Sequence, residues 1–275
     1  MSADLGHFLE TVRAELSWEG RECVRAVYHS EIVRLRGGAS LDGLMFNRVP
    51  YFYRNPKDVG REMGAGTLFF EPLRETLSRL PSKASFQESH FAEILATDFA
   101  EEVMGLRKLY NKLSILTAEN TNAFKMDVLL YDPDTEPVEL VFSEVKSSTK
   151  SASEGLPARH DQSCFADLFR SFNEYKQDDV DFDVGAIKDR INDVPASEAR
   201  RIRDALGAYS GPVIRYAGFC VIDIDTHDDD EIATLATRRN DKRFNVELLC
   251  VTELPTLISE TYRLLEKARE AASSR

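Results

Sequence analysis

Asp127, Glu144 and Lys146 are the residues whose types and spacing could do chemistry together. Glu144 and Lys146 are two apart, so on a β-strand both side chains leave the same face, while Val145 between them turns the other way, into a core. Asp127 lies in a second apolar run upstream, flanked by Met126 and Val128. Two carboxylates on neighbouring strands can hold one Mg²⁺, a hard cation that takes oxygen ligands, and the Val145 carbonyl could complete its shell. A lysine beside that ion would stabilise hydroxide or the charge of a pentacovalent phosphate. The chemistry that fits is hydrolysis of a phosphodiester. On residue types alone a plainer alternative stays open, an exposed ion pair on the face of a hairpin.

An acid-x-Lys triplet arises easily in a chain that is 30% charged, and Glu174-Tyr175-Lys176 repeats it. That copy lies on a helical pattern, where positions i and i+2 do not share a face, and no hairpin precedes it. The first copy has strand context. Residues 124–131 and 137–146 read as two strands joined by Asp132-Pro133-Asp134-Thr135-Glu136-Pro137, a turn by composition. Before them, residues 85–105 read as a helix. Ser85 with Glu88 three residues on matches a capping box, Phe91, Leu95, Phe99 and Val103 form an i, i+4 stripe, and Gly105 suits the C-terminal stop.

Elsewhere, residues 3–16 carry helical spacing (Leu5, Phe8, Val12, Leu16), and 25–36 reads as a strand running into Gly37-Gly38. Residues 40–82 hold Tyr51-Phe52-Tyr53 and Asn55-Pro56 without a clear pattern and close at Pro81-Ser82, a soft boundary. Residues 161–176, with Phe165, Leu168, Phe169 and Phe172 on one side, read as helix, as do 197–209 and 255–272. Residues 213–224 and 244–251 read as buried strands. This order predicts an α/β fold with a mixed central sheet flanked by helices. We divide it into an N-terminal α+β region over 1–82, a candidate partner-binding part, and a main domain over 83–275.

The chain of 275 residues is 43% hydrophobic and carries a formal charge of −12. No run approaches the ~20 apolar residues of a membrane span. The opening Met1-Ser2-Ala3-Asp4-Leu5 has an acid where a signal peptide would have basic residues. Cys23, Cys164, Cys220 and Cys250 lie far apart, without zinc, haem or iron–sulfur spacing. A reduced, cytoplasmic protein without membrane contact is the expectation. Strong unaided binding to nucleic acid goes with a basic excess, because phosphate neutralisation supplies most of the affinity. Work on a nucleic acid would therefore need a local basic patch, metal ions or a partner that delivers the strand.

The hairpin resembles the PD-(D/E)xK nuclease superfamily, whose core is a helix followed by a hairpin bearing Asp and then Glu-x-Lys. His90-Phe91-Ala92-Glu93-Ile94-Leu95-Ala96 resembles that superfamily's Glu-x-x-Ala helix. The motif covers about residues 86–150, and it departs from the pattern at Met126, where the superfamily has a proline before the Asp. More narrowly, Phe91-Ala92-Glu93-Ile94-Leu95-Ala96, then Phe142-Ser143-Glu144-Val145-Lys146-Ser147-Ser148, together with the overall length, resemble the HamA family, nuclease subunits of the Hachiman anti-phage defence system. The resemblance implies a PD-(D/E)xK-like core and a metal-dependent DNase using Mg²⁺, with Mn²⁺ as substitute. It also implies a superfamily 2-type, HamB-like helicase partner that restrains the nuclease until foreign or damaged DNA is sensed. Asp127, Glu144 and Val145 would hold the metal, Lys146 would act at the attacking water, and Glu93 would assist. On helical spacing Glu93 falls away from the apolar stripe, so Glu88 is its rival.

Other features compete for a role. Lys125 shares the strand face of Asp127 and could touch phosphate, and Ser147-Ser148-Thr149-Lys150 offers hydroxyls and a cation suited to the same contact. Arg159-His160-Asp161 at a helix start invites a histidine role. Asp223-Ile224-Asp225-Thr226-His227-Asp228-Asp229-Asp230 is rich in oxygen but lacks the EF-hand glycine and closing glutamate, and residues 178–183 read as a solvated acidic turn. Arg238, Arg239, Lys242 and Arg243 form the densest basic patch, suited to DNA backbone, to an acidic partner or to plain solvation. Two other functions remain open: a catalytically inactive nuclease-like adaptor that regulates a helicase, and a stand-alone restriction-type endonuclease.

Overall fold

The computed structural model describes residues 8–18, 21–30, 40–54, 70–115, 126–149, 164–226 and 244–273. Seven strands form one mixed sheet: β1 (Leu9–Trp18), β2 (Arg21–Tyr28), β3 (Arg107–Asn111), β4 (Val128–Asp132), β5 (Glu139–Ser148), β6 (Val213–Asp223) and β7 (Phe244–Val251). Their spatial order is β1-β2-β7-β6-β5-β4-β3. The central strands β2, β7, β6 and β5 run parallel, and an antiparallel pair closes each edge.

Helices cover both faces. On one lie α1 (Leu41–Arg48), α2 (Pro50–Tyr53), α3 (Phe70–Ser78), α4 (Ala84–Glu102) and α8 (Leu254–Ser273). On the other lie α5 (Cys164–Glu174), α6 (Gln177–Arg190) and α7 (Ala196–Gly207). Strand alternation divides β5 between them: Val141 and Val145 enter the first core, Leu140 and Phe142 the second. The α/β class and the mixed sheet flanked by helices are as the sequence predicts. Residues on both sides of position 82 share the sheet and the first core. Among the described residues no helix is long and apolar enough to cross a membrane.

Several elements differ from expectation. The helix expected over 3–16 is strand β1 from Leu9 onward. Val12, Ala14, Leu16 and Trp18 fit a period of two as well as Phe8, Val12 and Leu16 fit a helical one, and pairing with β2, across a register shift between Arg13 and Ser17, decides between them. The strand expected over 25–36 starts earlier, at Arg21, and ends at Tyr28. Ser85 does not cap α4; Lys83 is the N-cap and Ser85 lies inside the helix. Gly105 does end that segment, at φ +71°, where only glycine is unstrained. The acidic stretch 178–183 is not a solvated turn but part of α6, with Asp183 fully buried. The unassigned stretch 40–82 holds α1, α2 and α3, and β3 was not anticipated.

Two sites on the central strands yield measurable consequences. Gly218 on β6 sits beside Glu144 of β5, and a Cβ there would come within 2.5 Å of Leu168 on α5. Gly218→Val should cost about 1–3 kcal/mol in urea unfolding through overpacking. Glu247 on β7 is buried, which pushes its carboxyl up to about 7, with Arg215 opposing. A carboxylate raised in the folded state stabilises nothing above its unfolded value, so stability is lost as pH rises from about 4.5 through 7. Glu247→Gln should therefore gain about 2–4 kcal/mol on wild type at pH 8 and little at pH 4, read from unfolding at both.

Candidate active site

The antiparallel ladder between β4 and β5 ends at Asp127. Val128 lies opposite Ser143, and just before it the Asp127 N–H donates to the Ser143 carbonyl at 3.0 Å. The Asp127 side chain then accepts the next β5 amide, Val145 N–H, on Oδ2 at 2.7 Å. Asp127 is thereby fixed to the backbone of the strand that carries Glu144 and Lys146. The Val145 side chain is buried in the first core, as alternation requires. Lys146 Nζ donates to Glu144 Oε1 at 2.5 Å.

Glu93 joins from α4. That helix is buried on every side from His90 to Ala100, so the stripe from Phe91 to Phe99 does not mark an outside, and Glu93 is only 1% exposed. Thr97 Oγ1 donates to the Glu93 carbonyl at 2.7 Å. Its rival Glu88 is half-buried and accepts from Thr149 Oγ1 at 3.1 Å, tying the end of β5 to the same helix.

A residue that sequence reasoning missed links the two groups. Lys112, at the end of β3, donates from Nζ to Asp127 Oδ1 and lies 3.3 Å from Glu93 Oε1. Its backbone N–H donates to the Asp127 carbonyl at 3.2 Å. Nothing in Arg107-Lys108-Leu109-Tyr110-Asn111-Lys112 distinguishes this lysine from Lys108, so no sequence signal marks it. Beside it lies a second missed group, His90, whose Nδ1 is 2.7 Å from Tyr53 Oη, itself 3.4 Å from Tyr262 Oη. Burial, then the Lys112 charge, pushes the His90 ring down to about 4.

Three carboxylates, Glu93, Asp127 and Glu144, thus share a buried region with two ammonium groups, Lys112 and Lys146. Burial, then Asp127, drives Glu144 upward, against the pull of Lys146. Burial drives Glu93 upward too, opposed by Lys112 and reinforced by Asp127. Burial works to lower the Lys146 ammonium, but Glu144 and Asp127 outweigh it and hold it above the ordinary lysine value. Lys112 is held up in the same way by Asp127 and Glu93. Glu93 Oε2 is buried without a hydrogen-bond partner among the described residues.

Such a site calls for more positive charge, and its donors are hard oxygens. Among the described residues no three His, Cys, Asp or Glu side chains group closely enough to hold a metal ion by themselves. Mg²⁺ does not need them, since it commonly takes one or two carboxylates and completes its shell with water and phosphate oxygens. Asp127 and Glu144 fit that role.

The other singled-out residues separate. Lys125, Lys150, Arg159, His160, Asp161, the stretch 227–230, and Arg238, Arg239, Lys242 and Arg243 lie outside the described residues. Ser147 and Ser148 are half-buried at the end of β5. Asp223 accepts the Leu254 N–H at 2.9 Å and the Asp225 N–H at 2.9 Å, so it braces the start of α8. In the second acid-x-Lys triplet the middle residue does the work, Tyr175 Oη donating to Asp183 Oδ2 at 2.7 Å. Asp183 Oδ2 also accepts the Met126 N–H at 3.3 Å, immediately before Asp127. Asp183→Ala strands both donors and should cost about 3 kcal/mol of stability by urea unfolding, loosening the approach to Asp127.

No curated protein matches the chain. A family model described as HamA matches residues 9–265 of 275, spanning both edges of the sheet and every residue of the pocket. By that match the chain belongs to the HamA family, a component of the Hachiman defence system.

Proposed function

We propose that this HamA protein is a metal-dependent DNA nuclease acting beside a superfamily 2-type, HamB-like helicase in anti-phage defence. The observation that carries the reading is the Val145 N–H bond to Asp127, which binds one acid to the strand bearing Glu144 and Lys146. Asp127 and Glu144 would hold a divalent ion, Mg²⁺ or Mn²⁺, which supplies positive charge at the phosphate oxygens. Lys146, kept protonated by Glu144, orients the attacking water and balances charge that grows on the phosphate. Glu93, fixed on a fully buried helix turn, holds the other lysine, Lys112, in place. In-line attack would leave 5′-phosphate and 3′-hydroxyl ends. A chain of charge −12 gains little from free DNA, so a motor partner that presents the strand suits it.

One observation favours the adaptor reading instead: the Lys112 ammonium already neutralises Asp127. A single experiment separates the two. Purified chain, alone and with any helicase encoded beside it, is assayed on DNA with Mg²⁺ and with EDTA. Cleavage should need Mg²⁺, and Glu144→Ala and Lys146→Ala should each lower it by about 10²-fold or more while circular dichroism stays native. An adaptor would show no cleavage in any arm. Full activity after Glu144→Ala would refute the site.

A further inference from the structure

We infer that Lys112 is a positioning residue that neutralises Asp127 and must yield it when a divalent cation binds there. The inference rests on the metal-site reading above and adds a residue and a constraint to it. Lys112 Nζ touches Asp127 Oδ1, while Asp127 Oδ2 is already engaged by the Val145 N–H. One oxygen of that carboxylate thus lies on the lysine and the other on the Val145 amide, so a metal ligated through Oδ1 would meet the ammonium. The Lys112 side chain is only 14% exposed, and withdrawing it into solvent would leave buried carboxylates uncompensated. It does have a second acceptor at hand, Glu93 Oε1 at 3.3 Å, on a carboxylate whose Oε2 is buried without a partner. Withdrawal from Asp127 onto Glu93 is therefore a short movement between two anions.

The backbone sets its limit. Lys112 N–H stays bonded to the Asp127 carbonyl, so only the flexible side chain moves. Lys146 lies on the other acid, its ammonium bonded to Glu144 Oε1 and out of the Lys112–Glu93 pair. The two lysines divide the work: Lys146 faces the chemistry, and Lys112 keeps Asp127 and Glu93 from repelling each other. A pocket open to metal only in the fraction of time that Lys112 is withdrawn binds more weakly by that fraction.

The test is Mn²⁺ binding to the full chain, followed by calorimetry and by the loss of the free-ion electron paramagnetic resonance signal, with no DNA present. Lys112→Met should bind Mn²⁺ about tenfold tighter than wild type, corresponding to a wild-type pocket open about a tenth of the time. Its melting temperature should fall in EDTA and recover with Mn²⁺, and Lys112→Arg should restore wild-type behaviour in both. Equal or weaker Mn²⁺ binding by Lys112→Met, with wild type binding normally, overturns the inference alone. Absence of binding in wild type and Lys112→Met alike removes the metal site and the inference with it. If Lys112→Met does not fold, Lys112→Met/Glu93→Gln against Glu93→Gln gives the same comparison with one charge fewer, and tighter binding by the double variant is again the expected result.

Discussion

The hydrogen bond from the Val145 amide to Asp127 Oδ2 joins two strands at the point where their ladder stops. The Asp127 N–H makes the last main-chain bond to β5, at the Ser143 carbonyl, and the Asp127 side chain takes the next β5 amide. That substitution of a side-chain acceptor for a backbone carbonyl leaves a carboxylate at the sheet's end, within reach of groups from both covering layers. Glu93 arrives from the helix on one face, and Asp183 steadies Met126 from the other. A pocket with three acids and two lysines is costly to build in a low dielectric, and it persists because each charge has a partner held by packed backbone.

The surrounding fold explains why the partners stay put. Helix α4 is buried on all sides from His90 to Ala100, and the Arg48 guanidinium bridges Asp98 and Glu102 on it at 3.2 and 2.9 Å. The segment that carries Glu93 has no exposed face, so its packing fixes the height of Glu93. Asp98 also shows that perturbed carboxyls are not confined to the pocket: burial pushes it up to about 7, with Arg48 opposing. What sets the pocket apart is the mutual dependence of its acids rather than the perturbation of any one of them.

Much of this was legible in the residues, and the failures have physical causes. The hairpin, with Glu144 and Lys146 on one face and Val145 behind them, follows from a period of two. Helices α5, α7 and α8 follow from apolar spacing, and β6 and β7 from unbroken apolar runs. Strand β1 was misread because its apolar positions fit two periods, and only a partner strand chooses between them. Asp183 was misread because an acidic run is usually solvated, whereas here Tyr175 and the Met126 amide draw one acid of the run inward. Glu93 fell off the apolar stripe for the same reason that it matters: the helix is buried on its polar side too. Lys112 left no trace, since its role arises from where β3 ends relative to Asp127, a distance no local pattern encodes.

The two walls of the pocket differ in how firmly they are laced. Strand β5 is zipped to β6 along its entire length, from Glu139 opposite Val213 to Ser148 opposite Ile222. Strand β3 is an edge strand of five residues whose ladder with β4 is interrupted between Lys108 and Tyr110. Short, irregular edges fray at low free energy, whereas long interior ladders open only when the molecule unfolds. Amide exchange would accordingly be fast on the flank that carries Lys112 and slow on the flank that carries Glu144 and Lys146. The site thus rests on a short edge ladder on one side and on a long interior ladder on the other.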